Sequence, residues 1–79
     1  MTVHFFAAAR DLSGATHWVP EGPSPASVGE LRSAIVRQFP VLAEVMPRWA
    51  ISVNLDFAND DMQLKPGDEI AVLPPVSGG

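Results

Sequence analysis

Leu64-Lys-Pro-Gly-Asp-Glu-Ile-Ala-Val-Leu-Pro-Pro-Val-Ser-Gly-Gly79 is the stretch around which this 79-residue sequence is organised. Lys65-Pro66-Gly67-Asp68 reads as a turn, because Pro66 presets φ and Gly67 supplies a permissive backbone. Residues 69–73 then read as a strand, apolar throughout after Glu69, as a central strand buried on both sides would be. Pro74 and Pro75 have no N–H to give a sheet and favour an extended, stiff conformer. Residues 76–79 are thereby held off the body, and Ser77-Gly78-Gly79 has nothing with which to pack a core. The expected organisation is one domain over residues 1–75 and a flexible Gly-Gly tail over residues 76–79.

Working back from that strand, Ile51-Ser-Val-Asn-Leu-Asp-Phe57 alternates, with Ile51, Val53, Leu55 and Phe57 on one face. This is the pattern of a half-buried strand. Asn59-Asp60-Asp61 is a polar turn, and residues 62–64 read as a short edge strand. Ser27-Val28-Gly29-Glu30 is a capping box, followed by Val28, Leu31, Ile35 and Phe39 at helical spacing. Arg32, Arg37 and Gln38 lie off that stripe, and Pro40 stops the helix. Residues 41–46 read as one or two further helical turns, closed by Pro47. The Pro-rich stretch of residues 20–25 is a connector.

At the other end, residues 2–9 have strand character, residues 10–14 look like a turn, and residues 15–20 read as a second strand anchored by Trp18. Val3 and Phe5 share the parity expected to face the core, which puts Phe6 on the opposite face with His4. Either a neighbour shields Phe6 or it belongs to an exposed contact patch. The order strand, strand, helix, strand, short strand, strand makes a two-layer α+β domain. Its most economical form is the β-grasp: a mixed sheet of four or five strands, one main helix on one face, first and last strands side by side.

Composition narrows the chemistry. Hydrophobic residues at 47% and charged residues at 18% describe a single globular domain. With no cysteine, neither disulfides, thiol nucleophiles nor Cys-metal sites enter. A net charge of −4 argues against nucleic acid and anionic membrane as partners and suits a protein with a basic face. No charged-then-apolar leader opens the sequence and no apolar run is long enough for a bilayer, so a cytoplasmic location is expected. His4 and His17 lack a partner at metal-ligand spacing, the paired acids fall in turns, and no phosphate-cradling glycine motif or activated serine is present. No metal and no tightly bound cofactor are expected, and the chain is not expected to be an enzyme by itself. What remains is the α-carboxylate of Gly79 on a sterically bare arm with Gly78, a group inert until an ATP-using partner activates it.

In this context the run Gly67-Asp-Glu-Ile-Ala-Val-Leu-Pro-Pro-Val-Ser-Gly-Gly79 resembles the C-terminus of the MoaD/ThiS family of ubiquitin-like sulfur carriers. Within it, the small subunits of molybdopterin synthase are the most similar. Val3-His-Phe-Phe-Ala-Ala-Ala-Arg-Asp-Leu-Ser-Gly14, the Ser27-Val-Gly-Glu-Leu-Arg helix and Ser52-Val-Asn54 also sit where that family has its first strand and loop, its helix and its middle strand. The resemblance implies a β-grasp fold and a sulfur-carrier role. An E1-like adenylyltransferase would adenylate Gly79 with ATP and Mg²⁺. A sulfur donor enzyme, a cysteine desulfurase or sulfurtransferase, would supply the sulfur that converts it to a thiocarboxylate. The tail would then enter the large synthase subunit and pass sulfur to cyclic pyranopterin monophosphate, building the molybdopterin dithiolene.

The resemblance also implies a partner face at Phe6, Phe57 and Leu73, with Arg10 at a basic position after the first strand and Pro74-Pro75 leading to the glycines. Leu73 shares its parity with Ala71, opposite Ile70 and Val72, which suits an outer face; Phe57 shares the parity of Val53, which suits the core. Asn54-Leu55-Asp56 departs from the glycine- or glutamine-bearing turn common in the family. The alternatives are a carrier for thiazole or another sulfur pathway, a ubiquitin-like modifier that conjugates to lysines, and a plain β-grasp binding module. Pro74-Pro75-Val76-Ser77 favours the molybdopterin branch over the thiazole one.

Overall fold

The computed structural model describes residues 1–75. The Gly78-Gly79 pair and the rest of the expected tail lie outside the described residues. Strand β1, Thr2–Phe5, buries Val3 and Phe5 as its alternation requires. It is shorter than the sequence suggests. The chain leaves the sheet at Phe6, swings through Ala7 with φ of 48°, and forms a short helix α1, Ala8–Ser13. The expected turn over residues 10–14 is therefore a helical turn and a half. Ala8, Ala9 and Arg10 are good helix formers, and burial of Ala9 holds the turn against the body. Gly14 ends it in the left-handed conformation at φ 74°. Strand β2 is only His17–Trp18, antiparallel to β1.

Helix α2, Val28–Gln38, begins where expected: the Glu30 amide donates to the Ser27 hydroxyl at 3.2 Å. The return bond from the Glu30 side chain is not found among the described residues. The amides of Val28 and Gly29 instead donate to the carbonyls of Met62 and Asp60, each at 3.0 Å. This corrects the reading of residues 62–64 as an edge strand. That segment makes a single bridge, Gln63 to Ser27, in which the Leu64 amide donates to the Ala26 carbonyl and the Met62 carbonyl accepts from Val28, one of the donors that every helix start leaves unpaired. Pro40 does end the helix, and Phe39 beside it stands edge-on to Phe5 and Trp18, with ring centroids 5.1 and 5.7 Å away. A 3₁₀ turn, Pro40–Leu42, and the turns after it bury Leu42, Met46 and Trp49.

The alternating stretch from Ile51 to Phe57 is a hairpin and not one strand. Strand β3, Ala50–Val53, and strand β4, Asp56–Ala58, are joined by Asn54 and Leu55, with φ of 51° and 74°. Two successive left-handed residues make the tight hairpin connection that matches strand twist. Strand β5, Glu69–Leu73, follows the Lys65–Asp68 turn, where Gly67 takes φ 87°.

Among the described residues the five strands order as β2-β1-β5-β3-β4, with β1 and β5 parallel and the other pairs antiparallel. This is the β-grasp expected from the sequence, with first and last strands side by side. Helix α2 lays Val28, Leu31 and Ile35 into a core shared with Val3, Phe5, Ile51, Val53, Ile70 and Val72. Truncating one such leucine or isoleucine to alanine costs about 2–5 kcal/mol. Strand β5 is central but buried on one side only: Ile70 and Val72 are buried, whereas Ala71 and Leu73 are half-buried on the face that no helix covers.

Candidate functional site

The uncovered face of the sheet is the site. Register places His4, Ala71, Ser52 and Phe57 in one row across β1, β5, β3 and β4. Leu73 lies on the same side of β5 and Phe6 just beyond β1. With Leu55 and Glu69 they border a shallow depression of about 430 Å³. Phe57 is 79% exposed, Phe6 50% and Leu55 97%. Large apolar side chains gathered this way on a small domain mark a surface that meets another molecule.

The hairpin turn accounts for Phe57. In an antiparallel pair, directly opposed residues point to the same face. Phe57 is opposed to Ser52, so it shares the open face with Ser52 and not the core face with Val53. The assignment of Phe57 to the core parity is thereby corrected: two left-handed residues fold the chain back and invert the alternation beyond them.

Polar groups frame the depression. The parallel β1–β5 pairing brings His4 to Glu69, with Nε2 2.8 Å from the carboxylate, a partner that sequence spacing alone gave no reason to expect. The His4 ring also stacks beside Phe6 at 6.5 Å. Behind the hairpin tip, the Asn54 side chain donates to Asp68 at 3.0 Å and accepts from the Glu69 amide at 3.0 Å. Asp68 also accepts from the Lys65 amide at 2.8 Å. That backbone bond, and then the Asn54 bond, hold the Asp68 carboxyl below its ordinary pKa. The turn that presents Leu55 is thus pinned to the turn that starts β5.

Of the other residues singled out in the sequence, Arg10 is exposed on α1 and does not border the depression. Pro74 is half-buried and Pro75 exposed, directly after Leu73 at the end of β5. Sequence reasoning passed over Ser52, Ala71 and the His4–Glu69 pair, and it put Leu55 on the face of Ile51 and Val53, whereas the turn takes Leu55 out of the strand and leaves it exposed. Asn54, which tolerates left-handed backbone better than most residues, is the one local signal of the turn. No helix of the described residues is long and apolar enough to cross a membrane.

The family profile described as ThiS matches residues 3–79. The molybdopterin synthase sulfur carrier subunit of Caenorhabditis briggsae is 35% identical over 79 residues, covering 98% of this chain and 94% of that protein. Among solved structures, a chain in the complex of subunits 1 and 2 of molybdopterin-converting factor from Helicobacter pylori aligns at 30% identity with a TM-score of 0.69, covering 99% of this chain and 96% of that one. Small archaeal modifier protein 1 from Methanosarcina acetivorans aligns at 25% identity with a TM-score of 0.84, covering 99% and 94%. A match over nearly the whole sequence, joined to the β2-β1-β5-β3-β4 sheet, leaves one conclusion: the chain belongs to the ThiS/MoaD family and has its ubiquitin-like β-grasp fold.

Proposed function

We propose that this chain is the sulfur carrier subunit of molybdopterin synthase, acting in the cytoplasm and docking on the large synthase subunit through the open face of its sheet. One observation carries the reading: the apolar outer face of β5, at Ala71 and Leu73, ends directly at Pro74-Pro75, after which only Val76-Ser-Gly-Gly79 remain in the sequence. A partner seated on Phe6, Phe57 and Leu73 therefore receives the tail from the edge of the surface it grips. The relatives' sulfur-carrier names and the two-subunit complex of the Helicobacter pylori neighbour support the same partner.

In this reading the Gly79 carboxylate attacks the α-phosphate of Mg·ATP on an E1-like adenylyltransferase and releases pyrophosphate. The persulfide of a desulfurase or sulfurtransferase then attacks the acyl adenylate and expels AMP. A thiol reductant cleaves the resulting acyl disulfide, freeing the donor enzyme's thiol and leaving a thiocarboxylate. Glycine at 78 and 79 has no side chain to obstruct entry to either partner's active site. The thiocarboxylate sulfur bonds to a carbon of cyclic pyranopterin monophosphate, water cleaves the acyl–sulfur bond and returns Gly79 to a carboxylate, and two such transfers complete a dithiolene.

Likeness to a small archaeal modifier protein favours a second reading, a ubiquitin-like modifier whose activated Gly79 forms isopeptide bonds with lysines. Intact-mass analysis after incubation with the activating enzyme, Mg·ATP and a sulfur donor separates the two. The carrier reading expects a single exchange of terminal oxygen for sulfur, lost on deletion of Gly79, and dithiolene formation once the large subunit and pyranopterin are added. Higher-mass conjugates with no thiocarboxylate would overturn it in favour of the modifier.

A further inference from the structure

Leu55 sits at the tip of the β3–β4 hairpin under two conditions that the fold does not require. Its φ is 74°, in the left-handed region that resists side chains with a Cβ and is occupied at little cost by glycine or asparagine. Its side chain is 97% exposed, so it contributes nothing to the core. A hairpin of this kind takes Asn-Gly most readily, and here Asn54 fills the first position while leucine stands in the second. Leu55 borders the same depression as Phe57 and Leu73, and Asn54 ties the tip to Asp68 and the Glu69 amide. A strained, rigidly based and solvated leucine at the margin of an apolar surface is arranged to be buried by something else.

We infer that Leu55 is a partner-contact residue that fills an apolar pocket on the large synthase subunit, which extends the docking face beyond Phe6, Phe57 and Leu73; this rests on the docking reading above. The occupant follows from charge as well as continuity. Asp56 follows the leucine, Glu69, paired with His4, borders the same depression, and the chain carries a net charge of −4, so a pocket with basic groups at its margin complements this end of the face. Because the Leu55 backbone is already held in place, little ordering cost attaches to its insertion.

The test exploits opposite signs in two measurements on the intact chain. Leu55→Gly relieves the backbone, and the thermal unfolding midpoint of the free protein is expected to rise. The same change is expected to weaken binding to the purified large subunit by about tenfold to a hundredfold in calorimetry, the loss from leaving one leucine unburied. Leu55→Asn, which also tolerates left-handed backbone, should weaken binding similarly and guards against an effect peculiar to glycine flexibility. If Phe57→Asp weakens binding while both Leu55 variants bind like the wild type, the Leu55 inference fails and the docking face stands. If all three bind like the wild type, the docking reading itself fails. Self-association of the free wild type that Leu55→Gly abolishes would identify a second copy as the occupant and overturn the inference.

Discussion

Ser52 and Phe57 oppose one another across β3 and β4, and that register turns the Phe57 ring onto the open face beside the β5 residues Ala71 and Leu73. On this face the ring packs no core, so Phe57→Ala is expected to shift the stability of the free domain by no more than about 0.5 kcal/mol. Ile51→Ala, one residue from Ser52 but fully buried, should cost about 2–5 kcal/mol. Urea titrations of the two variants check the register. A Phe57→Ala loss comparable to that of Ile51→Ala would put Phe57 back in the core.

Phe6 leaves β1 on the same side, half-exposed and stacked beside His4. Phe6→Asp puts a charge where the proposed interface needs an apolar contact. A fully desolvated, unpaired carboxylate is far costlier than a lost ring contact. Association with the large subunit is expected to weaken by about tenfold or more, while the circular dichroism of the free domain is unchanged. Unchanged affinity would remove Phe6 from the face.

The legible parts of this fold are those whose causes are local. Ser27 caps α2, Pro40 stops it, and Pro66-Gly67 turns the chain into β5, each through the chemistry of two or three neighbours. The hairpin at Asn54-Leu55 was hidden because apolar and polar residues keep alternating through it. Alternation reports pleat and not direction, so Phe57 reads as core until the turn is seen. Strand β5 misled for a related reason: an apolar docking face and a second buried face look alike in sequence. Phe6 was the exception, because its parity conflicted with a core that Val3 and Phe5 already fill. The partners of Arg32 and His4 are set by tertiary approach, which no short pattern encodes.

Arg32 illustrates that last point. It lies off the apolar stripe of α2, yet its guanidinium is largely enclosed and donates to the carbonyls of Met46 and Trp49, the latter at 2.8 Å, and to Asp60 at 2.7 Å. Arg32→Ala strands two partly buried carbonyls, and the expected loss is about 2 kcal/mol, near 10 °C in melting temperature for a domain of this size. Asp60 is well exposed, so Asp60→Ala should cost no more than about 0.5–1 kcal/mol. Equal losses in scanning calorimetry would mean that the ion pair, and not the carbonyl bonds, holds the 46–49 segment to the helix.

The Asp68 carboxylate supplies a pH signature for the joint between the hairpin and the carrier strand. Its two acceptor bonds, from the Lys65 amide first and then the Asn54 side chain, lower its folded pKa below the ordinary value of 3.8. A depressed acid pKa contributes stability that is fully present above the unfolded value and is lost as pH falls through the folded one. The wild type is therefore expected to be more stable than Asp68→Asn near neutral pH, with the gap narrowing once pH drops below 3.8. The asparagine has no charge to lose, so its own acid limb should be shallower by that one group. Denaturant titrations of both proteins from neutral to acid pH measure the convergence. A gap that stays constant through the acid range would mean that Asp68 acts only by shape, and that the turn behind Leu55 is not held by charge.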